Sequence, residues 1–208
     1  MDIRKLICVA GCTLLAACAA SRVSYSYSML DFNAKPSNAP LRVAVQDHRP
    51  YVISGEKADT FVGLMRDGVG IPHDAKTASG KAFADDVASS IKVALDMRGA
   101  QVSTLVIPPA LTENEAIAAV KDSARKTIFL RINNWKSDTY AVTAVAYDID
   151  ALVVDRDGKV LARKKTVDGQ RTDVAIFATG ANARTGIASS FRFAMEDLFK
   201  SQEIAAHI

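Results

Sequence analysis
The run AVTAVAYDIDALVVDRDGKVLARKKTVD, residues 141–168, decides the fold of this chain. Its first half places Thr143, Val145, Tyr147, Ile149, Ala151 and Val153 at every second position. That is the period of a strand with one buried face. Asp148 and Asp150 fall on the opposite side. Asp157-Gly158 then supplies what a tight reversal needs, since glycine accepts the positive φ of such turns without steric cost. The pattern predicts a long strand over 141–154 that folds back antiparallel on a second strand over 159–168.

Working outward, Leu41 to Val45 reads as a strand stopped before Pro50, Gln101 to Ile107 as another ended by Pro108-Pro109, and Thr127 to Trp135 as a third. Between the first two, Phe83, Val87, Ile91 and Leu95 recur every four residues, the stripe of an amphipathic helix. Ser79 is its expected N-cap and Gly99 its close. Thr112-Glu113-Asn114-Glu115 has the capping-box pattern and opens a shorter helix running to about Ala124. A closing helix spans Asn182 to Lys200, with Ile187, Phe191, Met195, Leu198 and Phe199 toward the core. The order predicts an α+β protein, an αβ sandwich: a single mixed sheet of about five strands with two longer helices and one short helix packed on it. The first strand-helix-strand unit should be parallel with a right-handed crossover, and the later hairpin antiparallel.

At the amino terminus, Arg4 and Lys5 precede a dozen apolar or small residues, Leu6 to Ala17, and then Cys18. This is the make-up of a secretory signal peptide, with an apolar centre too short to span a bilayer. Leu15-Ala16-Ala17-Cys18 resembles the lipobox of bacterial lipoproteins. The resemblance implies cleavage before Cys18, a diacylglyceryl thioether on its sulfur and acylation of the new amino group. It also implies sorting to the outer membrane, facing the periplasm, because Ala19 stands where aspartate would retain the protein in the inner membrane. Cys8 and Cys12 leave with the signal peptide, so the mature chain would have no free thiol and no disulfide, and its stability must come from a packed core. The expected organisation is a signal peptide over 1–17, a lipidated cysteine with a flexible tether over 18–40, and one periplasmic domain over 41–208.

The whole chain has 208 residues, 49% hydrophobic and 24% charged, ordinary values for a globular domain. Removing Asp2, Arg4 and Lys5 leaves 24 basic and 22 acidic side chains, too mild an excess to argue for nucleic acid as a partner. No cofactor and no metal is expected. His48, His73 and His207 lack ligand spacing. Asp155-Arg156-Asp157-Gly158 has Thr166 where a calcium loop needs a bidentate glutamate. Ser79-Gly80-Lys81-Ala82 lacks the earlier glycine and the final Ser/Thr of a phosphate loop. Asp47-His48 has no accompanying nucleophile elbow, and no catalytic residue is assigned.

The stretch from 51 to 78 reads as a long irregular connection rich in glycine. Within it, Phe61, Leu64, Met65, Arg66 and Asp67 form a candidate partner-binding loop; the competing reading is a hairpin that caps the sheet with its apolar residues tucked under. Asp148 and Asp150, facing Arg163 and Lys165 on the returning strand, form a candidate charged face, extended by Lys164 and Arg171. This is either a solvated sheet surface with cross-strand ion pairs or an electrostatic docking surface. Trp135 is either an interface anchor or a core residue.

The lipobox, the first strand in Val-Ala-Val, the long helix ending in Arg-Gly, the paired strands around Asp157-Gly158-Lys159 and the closing helix together resemble the YajG-like bacterial lipoproteins. The resemblance implies location and fold more than mechanism. It leaves three classes of function. The leading one is a non-catalytic adaptor held to the membrane through Cys18 and binding an envelope protein; the others are a binder of peptidoglycan or lipopolysaccharide through the basic sheet face, and an enzyme.

Overall fold
A computed structural model of the chain describes residues 22–23, 30–32, 39–172 and 180–208. Cys18, the signal peptide and most of the expected tether lie outside the described residues. The strands are β1 (Arg22–Val23), β2 (Leu41–Asp47), β3 (Phe61–Arg66), β4 (Pro72–Thr77), β5 (Val102–Ile107), β6 (Lys126–Thr139), β7 (Thr143–Val154) and β8 (Val160–Thr172). The described helices are α1 (Pro50–Ile53), α2 (Phe83–Asp96), α3 (Glu113–Val120), α4 (Gly180–Lys200) and α5 (Gln202–Ala205).

The fold is α+β with one mixed sheet, and the five strands legible in the sequence form its body in the order β5-β2-β6-β7-β8. β2 lies parallel to both β5 and β6, whereas β6, β7 and β8 run as an antiparallel meander. Gly158 turns β7 into β8 at φ 88°, as its position after Asp157 requires.

The segment expected as an irregular connection is instead the short helix α1 followed by a hairpin. β3 and β4 pair antiparallel, and β3 docks parallel on β6 at Ser137–Thr139, beyond the stretch of β6 that β2 occupies. One edge of β6 therefore carries two strands end to end, and the sheet forks there. Gly63 makes the docking possible. Its φ is 152°, and a Cβ at this position would run into the backbone and hydroxyl of Ser137.

Arg49 fills the fork. Its guanidinium is fully buried and grips Asp47 at 2.6 Å through Nε and again through a terminal nitrogen. Its other terminal nitrogen donates to the carbonyls of Phe61 at 2.7 Å and Trp135 at 3.3 Å. The Tyr51 hydroxyl donates to that same Trp135 carbonyl at 2.7 Å. Side chains thus supply, at the gap between β2 and β3, the donors that a continuous neighbouring strand would have supplied.

Helices α2 and α4 cover one face of the sheet. Phe83, Val87, Ile91 and Leu95 of α2 are buried with Ile187, Phe191, Met195, Leu198 and Phe199 of α4. They share one core with Val43, Val45, Val145, Tyr147 and Ile149, α2 lying over β2 and β5 and α4 over β7 and β8. Trp135 belongs to this core, its ring centroid 5.6–5.9 Å from those of Phe83, Phe191 and Tyr147. On the opposite face α3 sets Ala116 and Val120 against Ala44, Phe129, Leu152 and Val154. Its capping box forms as the sequence predicts, with Thr112 and Glu115 exchanging bonds.

Two local expectations change. The residue before α2 is Ala82, without a side-chain cap; Ser79 accepts from the Lys81 N–H and donates to Asp86 instead. Parts of the segment expected as a flexible tether belong to the folded body. Arg22–Val23 pairs with β4, and Leu30 and Phe32 are buried, Phe32 stacked on Phe199 at 4.3 Å. Isolated apolar side chains in a polar run leave water whenever a matching groove exists, whatever the period around them.

Candidate functional site
Three regions are candidates for a functional surface: the β3–β4 hairpin, the polar face of β7–β8, and the outer edge of β5.

The hairpin uses most of its chemistry internally. Phe61 is 2% exposed and lies in the core, with Leu64 and Met65 half-buried behind it. Arg66 makes a bidentate pair with Asp138 of β6 at 2.7 and 2.9 Å and donates to the Gly70 carbonyl. Asp67 builds the turn, accepting from the N–H groups of Val69 at 3.0 Å and Ile71 at 2.9 Å, while its other oxygen faces His73 at 3.2 Å. The His73 hydrogen bond and these backbone donors hold its carboxyl below the usual aspartate range. The side chains left to solvent at the tip are apolar: Val69 is 80% exposed and Ile71 55%. Neither is among the five residues of the candidate partner-binding loop.

On the polar face, Lys165 pairs with Asp148 at 2.9 Å, the diagonal neighbour of its direct partner Asp150. That hydrogen bond raises the Lys165 pKa. Arg163 does not pair with either aspartate. It is bound to Glu113, in the first turn of α3, and its hydrogen bonds hold the Glu113 carboxyl below its ordinary value against the opposing effect of burial. Arg131 of β6 approaches the same glutamate at 3.7 Å. Asn133, at the bulge in β6, donates to Asp148 at 3.1 Å and to Asp150 at 2.8 Å. The face is thus a network of alternating signs. Lys164 is not part of it, because alternation turns it to the helix side. There it lines a cleft of 460 Å³ with Phe193, Glu196, Asp197, Lys200 and Glu203. Arg171 stands opposite Ala144 in the β7–β8 register.

Asp47 and His48 do not face each other. Asp47 is held by Arg49, and His48 Nδ1 lies 2.8 Å from the Pro109 carbonyl. Among the described residues no group of three or more His, Cys, Asp or Glu side chains is placed to hold a metal. No described helix is long and apolar enough to cross a membrane.

β5 is the region the sequence did not single out. Its six residues, VSTLVI, contain no charge, no proline and no bulge, and among the described residues it pairs with β2 alone. The Leu41 N–H bonds to the Gln101 carbonyl, so alternation turns the N–H and C=O of Thr104 and Val106 away from β2. Val106 is 40% exposed. The opposite edge of the sheet, β8, carries Arg163-Lys164-Lys165.

No protein-family model matches the chain, and no curated protein does. Among solved structures, the fold is similar to that of protein XCC0632 from Xanthomonas campestris, described as DUF330, at a TM-score of 0.52 and 12% identity over 89% of this chain and 92% of that one. Lipoprotein GNA1162 from Neisseria meningitidis aligns at a TM-score of 0.37 and 14% identity, over 76% of this chain and 99% of that one. The likeness to the Xanthomonas protein is one of fold.

Proposed function
We propose that this chain is a lipid-anchored adaptor of the bacterial envelope, of the YajG-like kind, that holds a protein partner by strand addition along β5 and carries out no catalysis. The anchor is Cys18, and the lipobox with Ala19 after it favours the periplasmic face of the outer membrane. The observation that carries the partner-binding reading is the contrast between the two sheet edges. Proteins guard exposed edges with charge, bulges or proline. The β8 edge has its basic run, whereas β5 has none of these devices and offers outward backbone groups at Thr104 and Val106. An extended segment of a partner would pair there by main-chain hydrogen bonds. Binding of peptidoglycan or lipopolysaccharide through the basic face is less favoured, since Arg163 and Lys165 are already paired with Glu113 and Asp148.

The test is photocrosslinking in intact cells from position 104, with position 156 in the β7–β8 turn as control and products identified by mass spectrometry. One dominant protein adduct from 104 alone, lost when a second change, Val106→Pro, removes an outward donor, is the expected result. Adducts equal at both positions, or none from 104, would refute strand addition along β5.

A further inference from the structure
The pairing of β1 sets where the anchor sits relative to the fold. β1 runs parallel to β4, with Arg22 opposite Lys76 and Val23 opposite Thr77. In a parallel pair the chain preceding each strand enters from the same end. What precedes Lys76 is the rest of β4, back to Pro72 and the hairpin turn. Arg22 is therefore approached from the side of the hairpin tip. Arg22 stands four positions after Cys18, a span that reaches about 14 Å when fully extended. The β6–β7 turn lies at this end too, because β3 and β6 are parallel and Met65 stands opposite Thr139.

This end has an unusual surface. Val69, Ile71 and Tyr140 are 80%, 55% and 52% exposed. Of the charges around them, Arg66 is paired with Asp138 and Lys57 with Asp74, while Asp67 is hydrogen-bonded to His73 and to the N–H groups of its own turn. The Arg66 pair ties the hairpin to β6 and Asp67 closes its turn, so the apolar side chains are presented on a braced support.

We propose that the hairpin tip and the adjoining β6–β7 turn form a second membrane contact, in which Val69, Ile71 and Tyr140 enter the interfacial layer of the lipid leaflet that holds Cys18. The inference rests on the lipobox reading of Cys18. A short reach from the anchor leaves this end of the sheet beside the headgroups. Apolar side chains with an aromatic at the rim suit that layer, where burial of apolar area drives insertion. One acyl anchor holds a point, and the second contact fixes the tilt of the domain.

The experiment uses the full lipidated protein, made as Val69→Cys, Ile71→Cys and Arg156→Cys variants. Each introduces the single free thiol for an environment-sensitive fluorophore. The proteins are reconstituted in phosphatidylethanolamine–phosphatidylglycerol vesicles, with and without a spin-labelled lipid quencher. Probes at 69 and 71 are expected to shift to shorter wavelength, to be quenched several-fold more by the labelled lipid than the probe at 156, and to resist aqueous iodide. Aqueous behaviour at all three positions in protein whose Cys18 peptide carries lipid would overturn the membrane contact and leave the anchor standing. Shielding from iodide without quenching by the lipid would mean that protein, a second copy included, covers the tip, and would overturn it as well. A Cys18 peptide without lipid would remove the reading beneath both.

Discussion
Replacing Arg49 by alanine tests whether the fork is held by side chains. The substitution would leave the Asp47 carboxylate, 3% exposed, without its cation, and the Phe61 carbonyl without its 2.7 Å donor. Removing one partner of a buried pair costs about 3–5 kcal/mol, because the remaining charge stays desolvated. For a chain of this size each kcal/mol lowers Tm by roughly 2–4 °C, which places the expected fall at roughly 6–20 °C. A second variant separates charge from geometry. Asp47→Leu with Arg49→Met removes both charges and keeps apolar volume, a change that is often close to neutral for the pair itself. The Phe61 carbonyl still loses its donor, at about 1–3 kcal/mol. The double variant should therefore melt above Arg49→Ala yet below the parent. Calorimetry would measure all three. An Arg49→Ala transition within about 2 °C of the parent would refute the account, since it would correspond to 1 kcal/mol or less.

Gly63→Ala should cost about 3 kcal/mol, the range of overpacking added to backbone strain, since its Cβ would meet the Ser137 nitrogen at 2.7 Å. Amide exchange should accelerate in β3 and β4 and not in β7–β8; uniform change would argue against hairpin docking. Phe32→Ala should destabilise by about 3–5 kcal/mol, as for a core aromatic, and a neutral result in denaturant titration would return residues 30–32 to the tether. Burial, with the Asp168 and Asp197 carboxylates adding to it, pushes the Tyr147 phenol up to about 12 from its ordinary 10.0. A raised acid favours the protonated folded state, so its contribution is complete below pH 10 and is lost as pH rises through 12. Alkaline melts of Tyr147→Phe should accordingly fall less steeply over that window than those of the parent, and parallel curves would contradict the assignment.

Much of this fold can be read in the chain because local signals agree with tertiary ones. The every-second-residue pattern of 143–153, the Asp157-Gly158 reversal, the stripe at Phe83, Val87, Ile91 and Leu95, and the Thr112–Glu115 box each match what the structure builds. The β3–β4 hairpin lacks such a signal. PHDAKT is polar and begins with proline, and it becomes a strand through its neighbours, which is where strand preference chiefly arises. The four-residue helices α1 and α5 are too short for any period to show. The glycine-rich character of 51–78 is visible in the sequence, but the approach of Gly63 to Ser137 is not. On the polar face, alternation located Asp148, Asp150, Arg163 and Lys165 but could not give Arg163 to Glu113, since that depends on where α3 comes down. The same alternation would have turned Lys164 to the helix side. Arg49 reads in sequence as a surface cation, and only the unpaired carbonyls of a forked sheet give it reason to be buried.

That fork also orders the assembly of the protein in time. β7 and β8 reach β6 through short turns, whereas β2 and β3 must return to it across long loops, and chain entropy makes distant contacts slow to form. The meander is thus the expected nucleus, with the free edge of β6 as a template on which two separate segments later align end to end. Changes in β7–β8 should mainly slow refolding, and changes at Val43 or Val62 should mainly hasten unfolding, a division that chevron kinetics would reveal. Until β2 and β3 arrive, the chain would carry a long vacant edge, and a trapped intermediate would be one in which either segment had taken the other's half of β6.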